Sequence, residues 1–436
     1  MKDWPEYIRF IFDKLLAHGY EVFAVGGCVR DMIAGIKPQD YDMVCSASLE
    51  QISQIFSRTL TVGARYGTVI VLIDRHPVEL STYRKVELNQ KVTALEMDLA
   101  GRDFSINAMA MDVNGIIYDP WGGQADLKAG LIRATGDRAE VLFADDPLRM
   151  MRAIRFSVTY DYQIAESTCA ALLKLNHLLA GIAWERIREE LNRILTSDRP
   201  AQGIRKLQTG GLMAYIIPEL EVMVGFDQRN FRHNKDLFEH SLAVLEGVPG
   251  QIDVRLAALL HDIGKPACFT IDENGVGHFY NHHQAGMEMT RRILERLKYD
   301  QQTITNVSLL VGSHMTRYAK LRNSSLKQLI KQVGEDKLDS LYTLQRADIM
   351  ASAPPFDFSE LDKMQQAIDF ILDTNQPLSI KDLAVSGTDL LTIGYAPGPF
   401  LGETLQRLLE FVLEDPSQNQ RELLLHMASV WKDQQL

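Results

Sequence analysis

Short apolar runs separated by polar stops occupy the first 120 residues, and they predict strands at 21–25 (EVFAV), 41–45 (YDMVC), 68–73 (TVIVLI), 78–82 (VELST) and 116–119 (IIYD). Apolar spacings of three and four predict helices at 5–18, 28–34 and 49–57. Together these imply a small mixed α/β domain ending near residue 135. From Asp145 onward the three-and-four spacing continues in segment after segment with few strand-like runs, so the remainder reads as all-helical. Two stretches rich in helix-stopping residues, TSDRPAQG (196–203) and ASAPPFDFSE (351–360), mark breaks in that helical part.

At 436 residues the chain is too long for one ordinary core, and two to four domains are expected. No window approaches 18 uninterrupted apolar residues, and the start MKDWPEYIRFIFDKLL is charged throughout; neither a membrane span nor a signal peptide is expected, and the chain reads as cytoplasmic. Cys28, Cys45, Cys169 and Cys268 lack CxxC spacing, which argues against a disulfide framework or a cysteine zinc site. The net charge of −11 disfavours nucleic acid as a partner, because backbone binding relies on lysine and arginine. Two local stretches change that picture. RMMRAIR sets Arg149, Arg152 and Arg155 three apart, and RIREELNRILTSDRPAQGIR (186–205) is also arginine-rich, so a local basic surface is expected.

The chemistry concentrates in AVGGCVRDMIAGIKPQDYDMV (24–44). A strand ending at Val25 and entering Gly26-Gly27 lets the backbone turn sharply, and a helix from about Cys28 then aims free amides at whatever lies over the turn, a place for phosphate. Such a glycine pair alone is more often a plain turn, but Arg30 in the first helical turn strengthens the phosphate reading. Asp40 and Asp42 occupy alternate strand positions, so their carboxylates face one way and Tyr41 the other. Two such groups repel unless a cation lies between them, and a magnesium pair serves that purpose. Glu79, between Val78 and Leu80, offers a third carboxylate from another strand. A lone Asp-x-Asp is usually a surface loop; with the glycine turn upstream, catalysis is the stronger reading.

GGCVRD, QDYDMV, GRDFSINAMAMD (101–112), DPWGGQADLKAGLIR (119–133) and ADDPLRMMRAIRF (144–156) together resemble the class II tRNA nucleotidyltransferases, the CCA-adding enzymes and their bacterial poly(A) polymerase relatives. The likeness runs from residue 22 to about 195. It implies a polymerase-β-like head at 1–135, a helical neck at 136–205, a helical body at 206–355 and a helical tail at 356–436. It also implies untemplated addition to a tRNA 3′ end from CTP, and from ATP if the whole CCA is added. Gly26, Gly27 and Arg30 would then contact the nucleotide, with Asp40, Asp42 and Glu79 catalytic and the first two on magnesium. Arg102, Asp103, Asp146, Arg149, Arg152 and Arg155 would meet sugar, base and phosphates.

Asp146 and Arg149 also have a physical logic of their own. Pro147 favours a helix start, which places 146 and 149 one above the other. A carboxylate accepts and a guanidinium donates. Cytosine and adenine present an amino donor beside a ring-nitrogen acceptor, whereas uracil and guanine present the reverse, so the pair suits C and A; mismatched buried polar groups make the rejection strong. The alternative is an N-cap with an i,i+3 ion pair.

Three departures from the family pattern stand out. Gly101-Arg102-Asp103 replaces Arg-Arg-Asp, and Asp145-Asp146 replaces Glu-Asp. The flexible charged loop is reduced to KVELNQK (85–91), as in CC-adding enzymes, so addition of CC is expected, with the terminal A left to a separate A-adding enzyme and full CCA addition the rival.

A second constellation resembles the HD superfamily: His240, His261, Asp262 and Asp348 would bind one metal, and His282 and His314 would help hold a second. Such ligands suit manganese, nickel or cobalt better than magnesium, and metal-activated water implies phosphohydrolysis. His233 and His283 read as bystanders. HD domains commonly pair, which suggests a homodimer. Residues 378–415 match the family's C-terminal helices and are expected to help grip the tRNA elbow, while acceptor-stem binding through shape and backbone needs no base contacts. A phosphohydrolase with a nucleotide-sensing head and a non-catalytic RNA-binding protein are the competing classes; the repelling Asp40 and Asp42 speak against the latter.

Overall fold

The computed structural model describes residues 4–63, 67–84, 92–229, 235–318 and 322–433. The chain forms two compact units, 1–216 and 217–436. Among the described residues no helix is long and apolar enough to cross a membrane.

The first unit opens with α1 (Glu6–Ala17), β1 (Val22–Val25), α2 (Gly27–Ile33), β2 (Asp42–Cys45), α3 (Leu49–Ile55), β3 (Thr59–Gly63), β4 (Thr68–Ile73) and β5 (His76–Thr82). After α4 (Ala94–Ala100) come β6 (Ala110–Met111) and β7 (Ile117–Tyr118). The seven strands form one mixed sheet in the order β3-β4-β5-β2-β1-β6-β7. Strand periodicity explains how both faces are covered. Val22, Ala24, Met43, Cys45, Val78 and Leu80 join Ile8, Phe12 and Leu15 of α1 in one buried cluster, while Val25 and Val44 pack with Leu95 and Leu99 of α4 in another. Serine and threonine start two of the helices: Ser48 with Gln51 caps α3, and Thr93 with Glu96 caps α4.

The expected strands and helices are present with ends shifted by one or two residues, and β5 begins at His76, where Asp74 and Arg75 turn with positive φ. Two strands of this sheet lay outside the expectations. β3 is a short run among polar residues, and β6 is two residues inside the continuously buried run 104–111, which has no alternation to read.

The sheet is followed, still within the first unit, by α5 (Gly123–Ala129), α6 (Ala139–Asp145), α7 (Leu148–Thr159), α8 (Glu166–Leu175), α9 (Trp184–Leu195) and α10 (Pro200–Thr209). α9 buries Ile187, Glu190, Leu191, Ile194 and Leu195, a one-sided stripe that packs against α7. The break expected at 196–203 is a turn only over 196–199; residues 200–203 open α10, with Pro200 at its first position.

The second unit is helical apart from a hairpin of Phe269–Ile271 with Gly277–Phe279. Its helices include Leu237–Glu246, Ile252–Leu260, His282–Arg296, Gln301–Ser313 and Leu338–Ala351, with Ser359–Asp373, Pro399–Glu414 and Arg421–Asp433 beyond the loop at 352–358. A mixed-sheet head followed by a mostly helical remainder is therefore the observed fold.

Candidate active site and a second ligand cluster

In the first unit, register brings the carboxylates together. β2 runs parallel to β5 with Asp42 opposite Glu79, and antiparallel to β1 with Asp42 opposite Val25 at the mouth of the glycine turn. Asp42 shares the parity of Val44, and Glu79 is out of phase with the buried Val78 and Leu80, so both project from the α4 side of the sheet. Asp40 does not lie on the strand, as the alternation argument required; it sits in a bend two residues before β2 because the strand starts only at Asp42. Its charge nevertheless reaches the pair. Burial and then the Asp40 charge push the Asp42 carboxyl above its ordinary range against the pull of Arg102, and Glu79 is raised by burial, Asp42 and Asp40. Two raised carboxyls, Asp42 and Glu79, with the Asp40 charge bearing on both, fit a bound divalent cation, although the three groups are not gathered to within 4.8 Å.

Gly26 makes the turn, at φ 74° and ψ −132°, and α2 starts one residue earlier than expected. A β-carbon there would lie 3.1 Å from Arg102 Nη1 and 3.8 Å from Asp42 Oδ2. Gly27 is the first helical residue, and a β-carbon on it would meet the Arg30 guanidinium at 3.5 Å. Arg102 itself is held by Asp98, which accepts from Nε at 3.2 Å and Nη2 at 3.1 Å.

A buried polar chain leads from the turn into the helices. Arg30 donates through Nη1 to Asn107 Oδ1 at 2.6 Å and lies 4.7 Å from the Tyr160 ring centroid. Asn107 donates to Asp103 Oδ1 at 3.1 Å, and Arg152 donates to Asp103 Oδ2 through Nε at 2.9 Å and Nη2 at 2.6 Å. Burial opposes ionisation of Asp103, but the Arg152 charge and these hydrogen bonds overcome it and hold the carboxyl at about 2. Glu190 then lies 3.8 Å from Arg152 Nη1 and 2.8 Å from Arg155 Nε. The arginines of RMMRAIR are consequently not the basic surface patch that their spacing suggested. Arg149 is buried, Arg152 and Arg155 are mostly covered, and all three are matched by Asp145, Asp103 and Glu190, because this face of α7 packs inward.

Asp146 and Arg149 are not paired with each other. Pro147 caps α7 rather than opening it, and Asp146 is clasped by Arg186 of α9, Nη1 to Oδ1 at 3.2 Å and Nη2 to Oδ2 at 2.8 Å. Arg149 donates instead to the carbonyls of Leu142 at 3.2 Å and Gly101 at 3.0 Å. Asn107, Arg186 and Glu190 were not singled out from the sequence. The four-residue spacing of Arg186 and Glu190 on an amphipathic helix was the signal for two of them. The segment 85–91 and His233 lie outside the described residues.

In the second unit, all six expected metal ligands converge around Asp262. Its Oδ2 lies 3.1 Å from His261 Nε2 and 3.7 Å from His240 Nε2, and its Oδ1 lies 3.4 Å from His282 Nε2 and 3.7 Å from His314 Nε2. Asp348 Oδ1 completes the first side at 3.0 Å from His240 Nε2. The Nδ1 atoms of His261, His282 and His314 face the carbonyls of Ala258, Phe279 and Val311 at 2.9, 2.8 and 2.7 Å, which turns each Nε2 into the cluster. His261 Nε2 is fully buried against the Asp262 carboxylate, and burial followed by the neighbouring His261 charge lowers His314 to about 3, leaving a neutral ligand; these features fit divalent metal. Gly264 permits the approach, since a β-carbon there would stand 2.3 Å from the His282 carbonyl. Lys265 Nζ, 2.7 Å from Asp262 Oδ2, is a cation the sequence reading passed over although it follows Asp262 by three residues. The cluster opens into a cavity of about 840 Å³ whose walls include Lys265, Tyr280, Asp348 and Phe356. His283 touches the edge of the His282 ring and stands outside the ligand groups.

Residues 22–133 match the family described as "Poly A polymerase head domain", 161–223 match "Probable RNA and SrmB-binding site of polymerase A", and 279–428 match "tRNA nucleotidyltransferase domain 2 putative". The chain is 31% identical over 432 residues to a CCA-adding enzyme of Levilactobacillus brevis, covering 96% of each. It is 33% identical over 405 residues to an A-adding tRNA nucleotidyltransferase of Deinococcus radiodurans, covering 88% of this chain and 90% of that one. Among solved structures, the Bacillus stearothermophilus CCA-adding enzyme in complex with CTP superposes with a TM-score of 0.72 at 25% identity, over 100% of this chain and 99% of the other.

Proposed function

Because the chain belongs to the class II tRNA nucleotidyltransferase family of CCA-adding enzymes and poly(A) polymerases, we propose that it extends the 3′ end of tRNA with C residues from CTP and stops at CC. The 3′ hydroxyl oxygen bonds to the α-phosphorus, the bond to the β-phosphate bridge breaks, pyrophosphate leaves and the hydroxyl proton is released. Asp40, Asp42 and Glu79 are the groups that would hold magnesium, and Gly26 keeps the space over the turn open for phosphate. Held there, magnesium would supply positive charge that acidifies the attacking hydroxyl and steadies the triphosphate. Asp146 and Arg149 read the base edge, and Arg102, Arg152, Arg155 and Asp103 order the surrounding pocket.

The observation that carries the transferase reading is the Asp42–Glu79 register beside the glycine turn. The CC stop rests on the seven residues 85–91 that link Arg84 to Val92. A tRNA transcript lacking its CCA, incubated with magnesium and CTP, ATP or both, tests both parts at single-nucleotide resolution. Arrest at CC with ATP present supports the proposal and calls for a separate A-adding enzyme. A CCA product makes the chain a full CCA-adding enzyme, and no C addition favours a phosphohydrolase with a nucleotide-sensing head.

The histidine cluster favours a second activity, hydrolysis of phosphate esters with manganese, nickel or cobalt at the second unit. Water oxygen bonds to phosphorus, the ester oxygen leaves and takes up a proton. His261→Ala is expected to abolish this hydrolysis and leave C addition intact; hydrolysis that persists in that variant refutes the assignment.

A further inference from the structure

Arg186 and Glu190 lie one turn apart on α9, and their side chains reach two different groups of residues around the proposed nucleotide pocket. Glu190, 4% exposed, serves Arg152 and Arg155. Arg186 serves Asp146, with its own side chain 49% exposed. An ion pair so open to solvent adds little to stability. Its geometry does more. A carboxylate has about four lone-pair positions; Arg186 occupies two of them on Asp146, and the Leu148 amide takes a third by donating to Oδ1 at 3.3 Å. One acceptor position is left, on a carboxylate that can no longer rotate. The Arg149 guanidinium, meanwhile, is anchored by the Leu142 and Gly101 carbonyls, so the acceptor and the donor are each fixed from behind and their side chains have no mutual bond to break when a base docks.

We propose that Arg186 is a positioning residue that sets base specificity: by fixing both oxygens of Asp146, it leaves a single acceptor for an exocyclic amino group. A base with a carbonyl at that place meets a carboxylate unable to turn away, and a lone pair faces a lone pair. The inference rests on the reading of Asp146 and Arg149 as the base-reading pair.

The test compares kcat/KM for CTP and UTP on a tRNA transcript lacking CCA, using the full chain and the variants Arg186→Ala, Arg186→Lys, Asp146→Ala and the Asp146→Ala, Arg186→Ala double. Arg186→Ala is expected to lower the CTP-to-UTP ratio about tenfold, the size of effect that one misplaced buried hydrogen bond produces, with the melting midpoint unchanged. Arg186→Lys, which keeps one donor, recovers part of the ratio, and the double variant discriminates no worse than Asp146→Ala. Equal losses for CTP and UTP in Arg186→Ala, or an unchanged ratio there while Asp146→Ala loses it, overturn the role of Arg186 alone. A ratio unaffected by Asp146→Ala overturns the base-reading assignment beneath it.

Discussion

Arg152 and Asp103, 49 residues apart, meet through two hydrogen bonds to a single oxygen, Oδ2, while the other oxygen accepts from Asn107 and the Phe104 amide. The contact ties α7 to the segment that follows α4, and Asn107 carries it on to Arg30 beside the glycine turn. Because the folded carboxyl is held at about 2 against an ordinary 3.8, its stabilisation is complete above the unfolded value and fades as the pH falls from about 4 through 2. Asp103→Asn should therefore cost on the order of 2 kcal/mol near neutrality. Urea unfolding of both proteins across the acid range should show that gap narrowing only below about pH 4.

Asp42 has the opposite sign. Its folded carboxyl is raised by burial and by Asp40, so in metal-free protein at neutral pH it destabilises. Asp42→Asn is expected to melt higher than the parent in chelator, yet to lose on the order of a thousandfold in nucleotide addition, the scale of charge stabilisation by a bound metal. A lower melting point in chelator would contradict the repulsion described for the site.

The two oxygens of Asp262 point to different histidine pairs, so under the proposed two-metal reading Asp262 is the group that both positions would share. Manganese or cobalt titration followed calorimetrically should give two ions per chain at the second unit. Asp262→Ala should lose both, whereas His240→Ala should keep the position beside His282 and His314. Equal losses in the two variants would mean a single ion.

Gly26 combines positive φ with a close neighbour, so Gly26→Ala meets both backbone strain and the Arg102 guanidinium. A destabilisation of about 1–3 kcal/mol is expected, with weaker CTP binding. Chemical denaturation together with CTP titration measures both, and an unchanged denaturation midpoint would show that the turn relaxes at no cost.

The sequence by itself determined the local elements and the chemical types. Short apolar runs placed β1, β2, β4, β5 and β7, three-and-four spacing placed α1 to α3, and the parity of Glu79 against Val78 and Leu80 was readable because each depends only on near neighbours. The six candidate histidine and aspartate ligands were legible as residue types in an order that resembles the HD superfamily. What only the tertiary structure decided was partnership. The parallel pairing that sets Asp42 beside Glu79, the pairing of Asp146 with Arg186 instead of Arg149, and the meeting of His240 with Asp348 across 108 residues join distant parts of the chain. Periodicity fixes which face a side chain occupies, but its partner is fixed by how whole elements pack, and that depends on the summed burial of residues far apart in the chain.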